Sequence, residues 1–182
     1  MIILIYLGIA LSFMFITTPL YTKNSGCYKI RKGMNFSGIW ILKMFLKKQS
    51  PFKVKVVFYE SCEVETLGVQ KIFGIGDLLH HNNSDRYGFI YEGDKTFGIY
   101  SYQYRDGKLT PWTKLGDVKT DEPFYINFSL STNSKYKIGR YLYPYFEQDG
   151  DDEKGAPHTM KLHMKFLEKS DNSDIKSFDL KK

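Results

Sequence analysis

Two adjacent histidines, His80 and His81, are followed by Asn82, Asn83, Ser84, Asp85 and Arg86, and the next strand-like run carries Tyr100, Tyr102 and Tyr104 at every second position. Donors and acceptors at this density, where a loop enters a strand, suit recognition of a ligand from a rigid scaffold. A metal site is a poor fit. Neighbouring histidines in extended chain face opposite ways, and the remaining ligands would have to come from elsewhere. The commoner role of such a stretch is a polar loop whose Asn and Ser side chains satisfy nearby backbone groups.

The three tyrosines share one strand face by the period of two. If that face is open, their flat apolar rings and polar hydroxyls suit stacking against sugar rings. The opposite face, Phe97, Ile99, Ser101, Gln103 and Arg105, grows more polar along the strand, which assigns at least Tyr100 and Tyr102 to the core. The binding residues expected of an open face are His81, Asn82, Arg86, Tyr100, Tyr102 and Tyr104, with Asn82 and Arg86 supplying hydrogen bonds and the tyrosines stacking.

Catalysis has no local signature. A lyase needs a base beside a neutralising group, and His81, Arg86, one tyrosine and His158 could supply that set only if the fold brings them together. The chain holds no G-x-S-x-G, H-E-x-x-H or phosphate loop. Glu147, Asp149, Asp151, Asp152 and Glu153 crowd one turn-rich loop that could hold a structural calcium. Their spacing departs from the EF-hand pattern, so a solvated acidic loop is the expectation and no cofactor is assigned. Cys27 and Cys62 form no C-x-x-C unit and read as two free thiols.

The elements that must position these residues are short. In Lys53 to Glu65, Val54, Val56 and Phe58 alternate with Lys53, Lys55 and Val57, the pattern of a half-buried strand. Strands follow over 85–91 and 96–104, joined through Glu92-Gly93-Asp94-Lys95, and Asp106-Gly107 marks another reversal into a strand near Leu109. Strands are also expected within 36–46, where Trp40 to Leu46 could instead form an amphipathic turn of helix, over 123–131 and 135–146, and over 158–166, where His158, Met160, Leu162, Met164 and Phe166 share one side. With 16% aromatic residues, 14 of them Tyr and 14 Phe, the composition favours strands. The expected fold is all-β: a two-layer antiparallel sandwich, jelly-roll-like, preceded by one N-terminal hydrophobic helix.

Charge is divided unevenly. Residues 1–59 carry nine Lys or Arg and no acid, so the remainder is net negative although the whole chain is +6. The positive charge follows a greasy segment, which favours anionic lipid head groups over nucleic acid as its partner. Ile2 to Tyr21 holds no charged residue, and twenty residues of helix cross roughly 30 Å of hydrocarbon. No basic residue precedes that run and no small-residue cleavage site ends it, so residues 1–22 read as a retained anchor or uncleaved signal; cleavage would instead release the domain by secretion. The lysines after the run favour the cytoplasmic side, whereas aromatic β-domains more often lie outside the cell. Residues 23–33 read as a basic linker, 34–167 as the sandwich, and 168–182 as a mobile polar tail.

"LLHHNNSDRYGF", "YKIGRYLYPYF" and "APHTMKLHM" resemble stretches of small, mostly uncharacterised β-sandwich proteins of Bacteroidetes and their associated phages. The resemblance covers about residues 34–166 and implies a jelly-roll-like fold with a membrane anchor; it brings no catalytic residues. Phe89 stands where that group often has Trp. The function expected is a noncatalytic, membrane-anchored module binding a glycan or a protein. A carbohydrate-active lyase or hydrolase is the first alternative, and a structural or interaction protein at the membrane the second.

Overall fold

The structure is a computed structural model that describes residues 25–35, 37, 52–76, 83–128, 155–167 and 175–180. The N-terminal segment, His80 to Asn82, the expected strands within 36–46 and 135–146, and the acidic loop lie outside the described residues. No described helix is long and apolar enough to cross a membrane.

Among the described residues, ten strands make two sheets. The first sheet contains β1 (Ser25–Ile30), β2 (Phe52–Phe58), β8 (Phe124–Phe128), β9 (Met160–Leu167) and β10 (Ser177–Asp179), in the spatial order β1-β9-β2-β8-β10. The second contains β3 (Gln70–Gly76), β4 (Ser84–Gly93), β5 (Thr96–Arg105), β6 (Lys108–Leu109) and β7 (Thr113–Lys119). Strands β3, β4 and β5 form a meander, and both β6 and β7 pair with the free side of β5. All pairs are antiparallel except β10 with β8, which is parallel.

Alternation explains the core. Val54, Val56 and Phe58 of β2, with Met160, Leu162 and Met164 of β9, face Phe89 of β4 and Phe97 and Ile99 of β5. Phe58 is the hinge of this contact: its ring lies 4.5 Å from Phe89, 4.6 Å from Phe97 and 5.3 Å from Phe124. Packing of aromatic rings at these separations adds to the burial of their area. The expected all-β fold is therefore present as two packed sheets.

The turns follow their residues. Asp94 and Lys95 both have positive φ, as do Asp106 and Gly107, the geometry that matches two-residue hairpins to strand twist. Gly93, read as the turn glycine, instead occupies the register shift beside that turn.

Both expected boundaries of the sandwich move outward. The supposed linker over 23–33 contains β1, whose Tyr28 and Ile30 are core residues while Lys29 points out. The supposed tail contains β10, because Phe178, 8% exposed, inserts into the core against Phe124 at 5.8 Å between rings. Gly116 makes room for it: a Cβ there would stand 2.6 Å from the Phe178 ring. The Tyr87 hydroxyl then fastens the segment, donating toward the carbonyls of Asn127 (2.6 Å) and Phe178 (3.1 Å) and accepting from the backbone N–H of Leu180 (2.9 Å). Burial holds that phenol well above the usual tyrosine range.

Candidate functional site

Cross-strand register decides which way the tyrosine ladder points. Tyr87 opposes Ser101, Phe89 opposes Ile99 and Tyr91 opposes Phe97, and Tyr87, Phe89, Ile99 and Phe97 belong to the core. The alternate set, Arg86 opposite Tyr102 and Ser84 opposite Tyr104, must occupy the outer face of the second sheet. The expectation that Tyr100 and Tyr102 are buried holds for Tyr102 and is corrected for Tyr100, which stays half-buried; neither belongs to the cluster between the sheets. Ile99 and Phe97 outweigh the more polar residues toward the end of the strand.

Tyr102 is nevertheless only 5% exposed. It is covered on the outside by cations and rings. Lys71 Nζ lies 4.9 Å from its ring centre, the Arg86 guanidinium carbon 5.5 Å, Tyr104 5.9 Å between rings, and Trp112 stacks on it at 6.3 Å with 24° between planes. Arg86 also lies 5.4 Å from the Tyr104 ring and is itself 2% exposed. A guanidinium desolvated between two aromatic faces is strongly attracted to both. Two glycines allow the close approach of β3 and β4 here. A Cβ at Gly74 would meet the Arg86 Cγ at 2.6 Å, and one at Gly88 would meet the Gln70 carbonyl oxygen at 2.8 Å.

Trp112 owes its position to a break in pairing. Pro111 has no N–H to give β5, so β6 and β7 are separate strands along one edge. Thr110 bridges the gap, its N–H and its hydroxyl both donating to the Gln103 carbonyl at 2.9 and 3.1 Å. Trp112 emerges from that interruption 41% exposed, with Leu109 beside it at 42%.

Further along the same face, Tyr100 donates to Glu92 at 2.8 Å, and Lys114 bridges Glu92 and Asp117, each at 2.7 Å. Partial burial, then the bond to Glu92, raises the Tyr100 phenol above its ordinary value. Asp117 and Glu92 hold the Lys114 ammonium above its own. At the loop end of the sheet, on its inner side, Asp85 accepts from Gln103 at 2.7 Å and forms an ion pair with Arg105.

Of the residues read from the sequence, the fold gathers Arg86, Tyr102 and Tyr104 into one cluster and gives Tyr100 to the neighbouring ionic network. His81 and Asn82 are not described. His158 precedes β9 in the other sheet, with Nε2 2.8 Å from the Ser61 carbonyl oxygen. Among the described residues no group of His, Cys, Asp and Glu could hold a metal. The two cysteines are free thiols; Cys62 is buried, its thiol 2.9 Å from the Lys161 carbonyl oxygen and pushed up to about 12 by desolvation. Trp112 and Lys71 were missed. A Trp after Pro, five residues beyond a hairpin Gly, was the available signal for the first.

No protein-family model, no curated protein and no solved structure matches the chain. The resemblance drawn in the sequence analysis rests on its three quoted stretches alone.

Proposed function

We propose that the chain is a noncatalytic binding module, jelly-roll-like in the interleaving of β9 between β1 and β2, held at a membrane by residues 2–21, that takes a glycan on the outer face of its second sheet. The observation that carries this reading is Trp112. Its indole is 41% exposed yet stacked on a buried Tyr102, so it is a rigid apolar platform with polar neighbours at its edge. Platforms of this kind bind the C–H face of a pyranose with little ordering cost. Tyr104, half-buried alongside, extends the platform, and Arg86 and Lys71 stiffen it by packing on the Tyr102 ring.

An array of pyranose polysaccharides probed with the full chain tests the reading. Retention on at least one polysaccharide is expected, reduced about tenfold or more in Trp112→Ala, the loss of a contact worth roughly 1.4 kcal/mol. Thermal unfolding should shift little in that variant, because the indole is largely outside the core. A silent array, or equal retention by Trp112→Ala, rejects the reading.

A further inference from the structure

The outer face of the first sheet presents a charge pattern that folding alone does not explain. Register places Lys29 of β1 opposite Lys161 of β9, and Lys165 of β9 opposite Lys55 of β2. Like charges directly opposite on one face disfavour pairing. Lys53 and His163 complete the row, and Arg31 and Lys32 follow directly from the end of β1. Lys29, Lys161 and Lys165 are exposed, and no carboxylate among the described residues pairs with Lys29, Lys55, Lys161 or Lys165. Across β1, β9 and β2 the outward positions hold no acid.

We propose that this face docks on a bilayer surface bearing anionic phospholipid head groups. Charge complementarity is the first argument, since each lysine near such a surface is attracted by its negative potential. Position is the second, and it rests on the reading that residues 2–21 enter the bilayer. From Tyr21 to Ser25 the chain spans at most about 14 Å fully extended. Strand β1, the edge of this sheet, is therefore tied close to the head groups, at a distance comparable with the roughly 8–10 Å Debye length. With the lysine face down, the Trp112 face of the other sheet points away from the membrane and is free to meet a ligand.

The test uses the full chain labelled at Cys27, which lies on the outer side of β1 opposite His163, with an environment-sensitive fluorophore; buried Cys62 stays unlabelled. The chain is reconstituted in phosphatidylcholine vesicles with and without 30% phosphatidylserine. A blue shift with phosphatidylserine is expected, absent in pure phosphatidylcholine, reversed by 0.5 M salt and lost in Lys29→Gln/Lys161→Gln/Lys165→Gln. Three lysines should change the docked-to-undocked ratio on the order of 100-fold. The control Lys95→Gln/Lys108→Gln/Lys119→Gln, exposed on the other sheet, should keep the shift. Equal emission in both vesicles, or an undiminished shift in the first triple variant, overturns the proposal. So does lysine-dependent retention of duplex DNA by a chain that ignores phosphatidylserine. Flotation with pure phosphatidylcholine reports on the anchor separately: if it fails while lysine-dependent flotation with phosphatidylserine persists, the anchor reading falls and the docking face stands.

Discussion

The two outer faces of the sandwich treat positive charge differently, although Lys53 on the first also lies over a ring, that of Tyr125. On the second sheet Lys71 and Arg86 lie over Tyr102, and Lys114 is held by Glu92 and Asp117. On the first, lysine stands opposite lysine across β1, β9 and β2 with no acid between them. Cations held within the fold contribute to stability and shape; like charges facing each other cost stability. The difference locates rigidity on one side and, on the proposal above, attraction for anions on the other.

The contrast can be attacked in order of effect. Cys27 should react with iodoacetamide at pH 8 on the order of 1000-fold faster than Cys62, whose thiol is both buried and scarcely ionised; mass spectrometry of the modified chain measures this. Comparable rates would mean that the sheets do not stay closed. Arg86→Ala should cost about 3 kcal/mol in urea unfolding, through the cavity and the two lost ring contacts, whereas Lys161→Ala should change little. Equal costs would erase the distinction between the faces.

Lys114→Met should cost roughly 0.5 kcal/mol at neutral pH, as partly exposed ion pairs do. The pH dependence has a definite sign. Because Asp117 and Glu92 raise the folded-state pKa of Lys114, its contribution is fully present below the unfolded value of about 10.4 and is lost as pH rises through the folded one. The wild type should thus converge on Lys114→Met only in strong alkali, as followed by circular dichroism. Smallest of all, Lys165→Glu should stabilise the domain by about 0.2–0.5 kcal/mol by relieving the repulsion from Lys55. An unchanged or lower midpoint would show that the lysines do not oppose one another.

Sequence pattern revealed what alternates and missed what does not. Strands β2 and β9 were legible because Val54-Val56-Phe58 and Met160-Leu162-Met164 keep a strict period. Strand β3 was not, since a register shift between Lys71 and Phe73 breaks the alternation and leaves both Ile72 and Phe73 buried. The lysines around Tyr28 and Ile30 disguised β1 as a linker. Strand β10 needs only one apolar residue, Phe178, which no periodicity can expose. The candidate site was half legible: the tyrosine spacing was right, but their face depends on which of two aromatic rows the other sheet covers, a choice made by residues distant in sequence.

The clasp formed by Tyr87 and Phe178 has a consequence for how the protein tolerates proteolysis. With β10 in place, the outer margin of β8 is already taken by the chain's own end along three residues. A protease that trims the chain after residue 174 would strip that guard, leaving a bare β8 ready to recruit a strand from another copy. Residues 177–179 thus cover an edge that would otherwise be open to pairing, as well as adding to the fold.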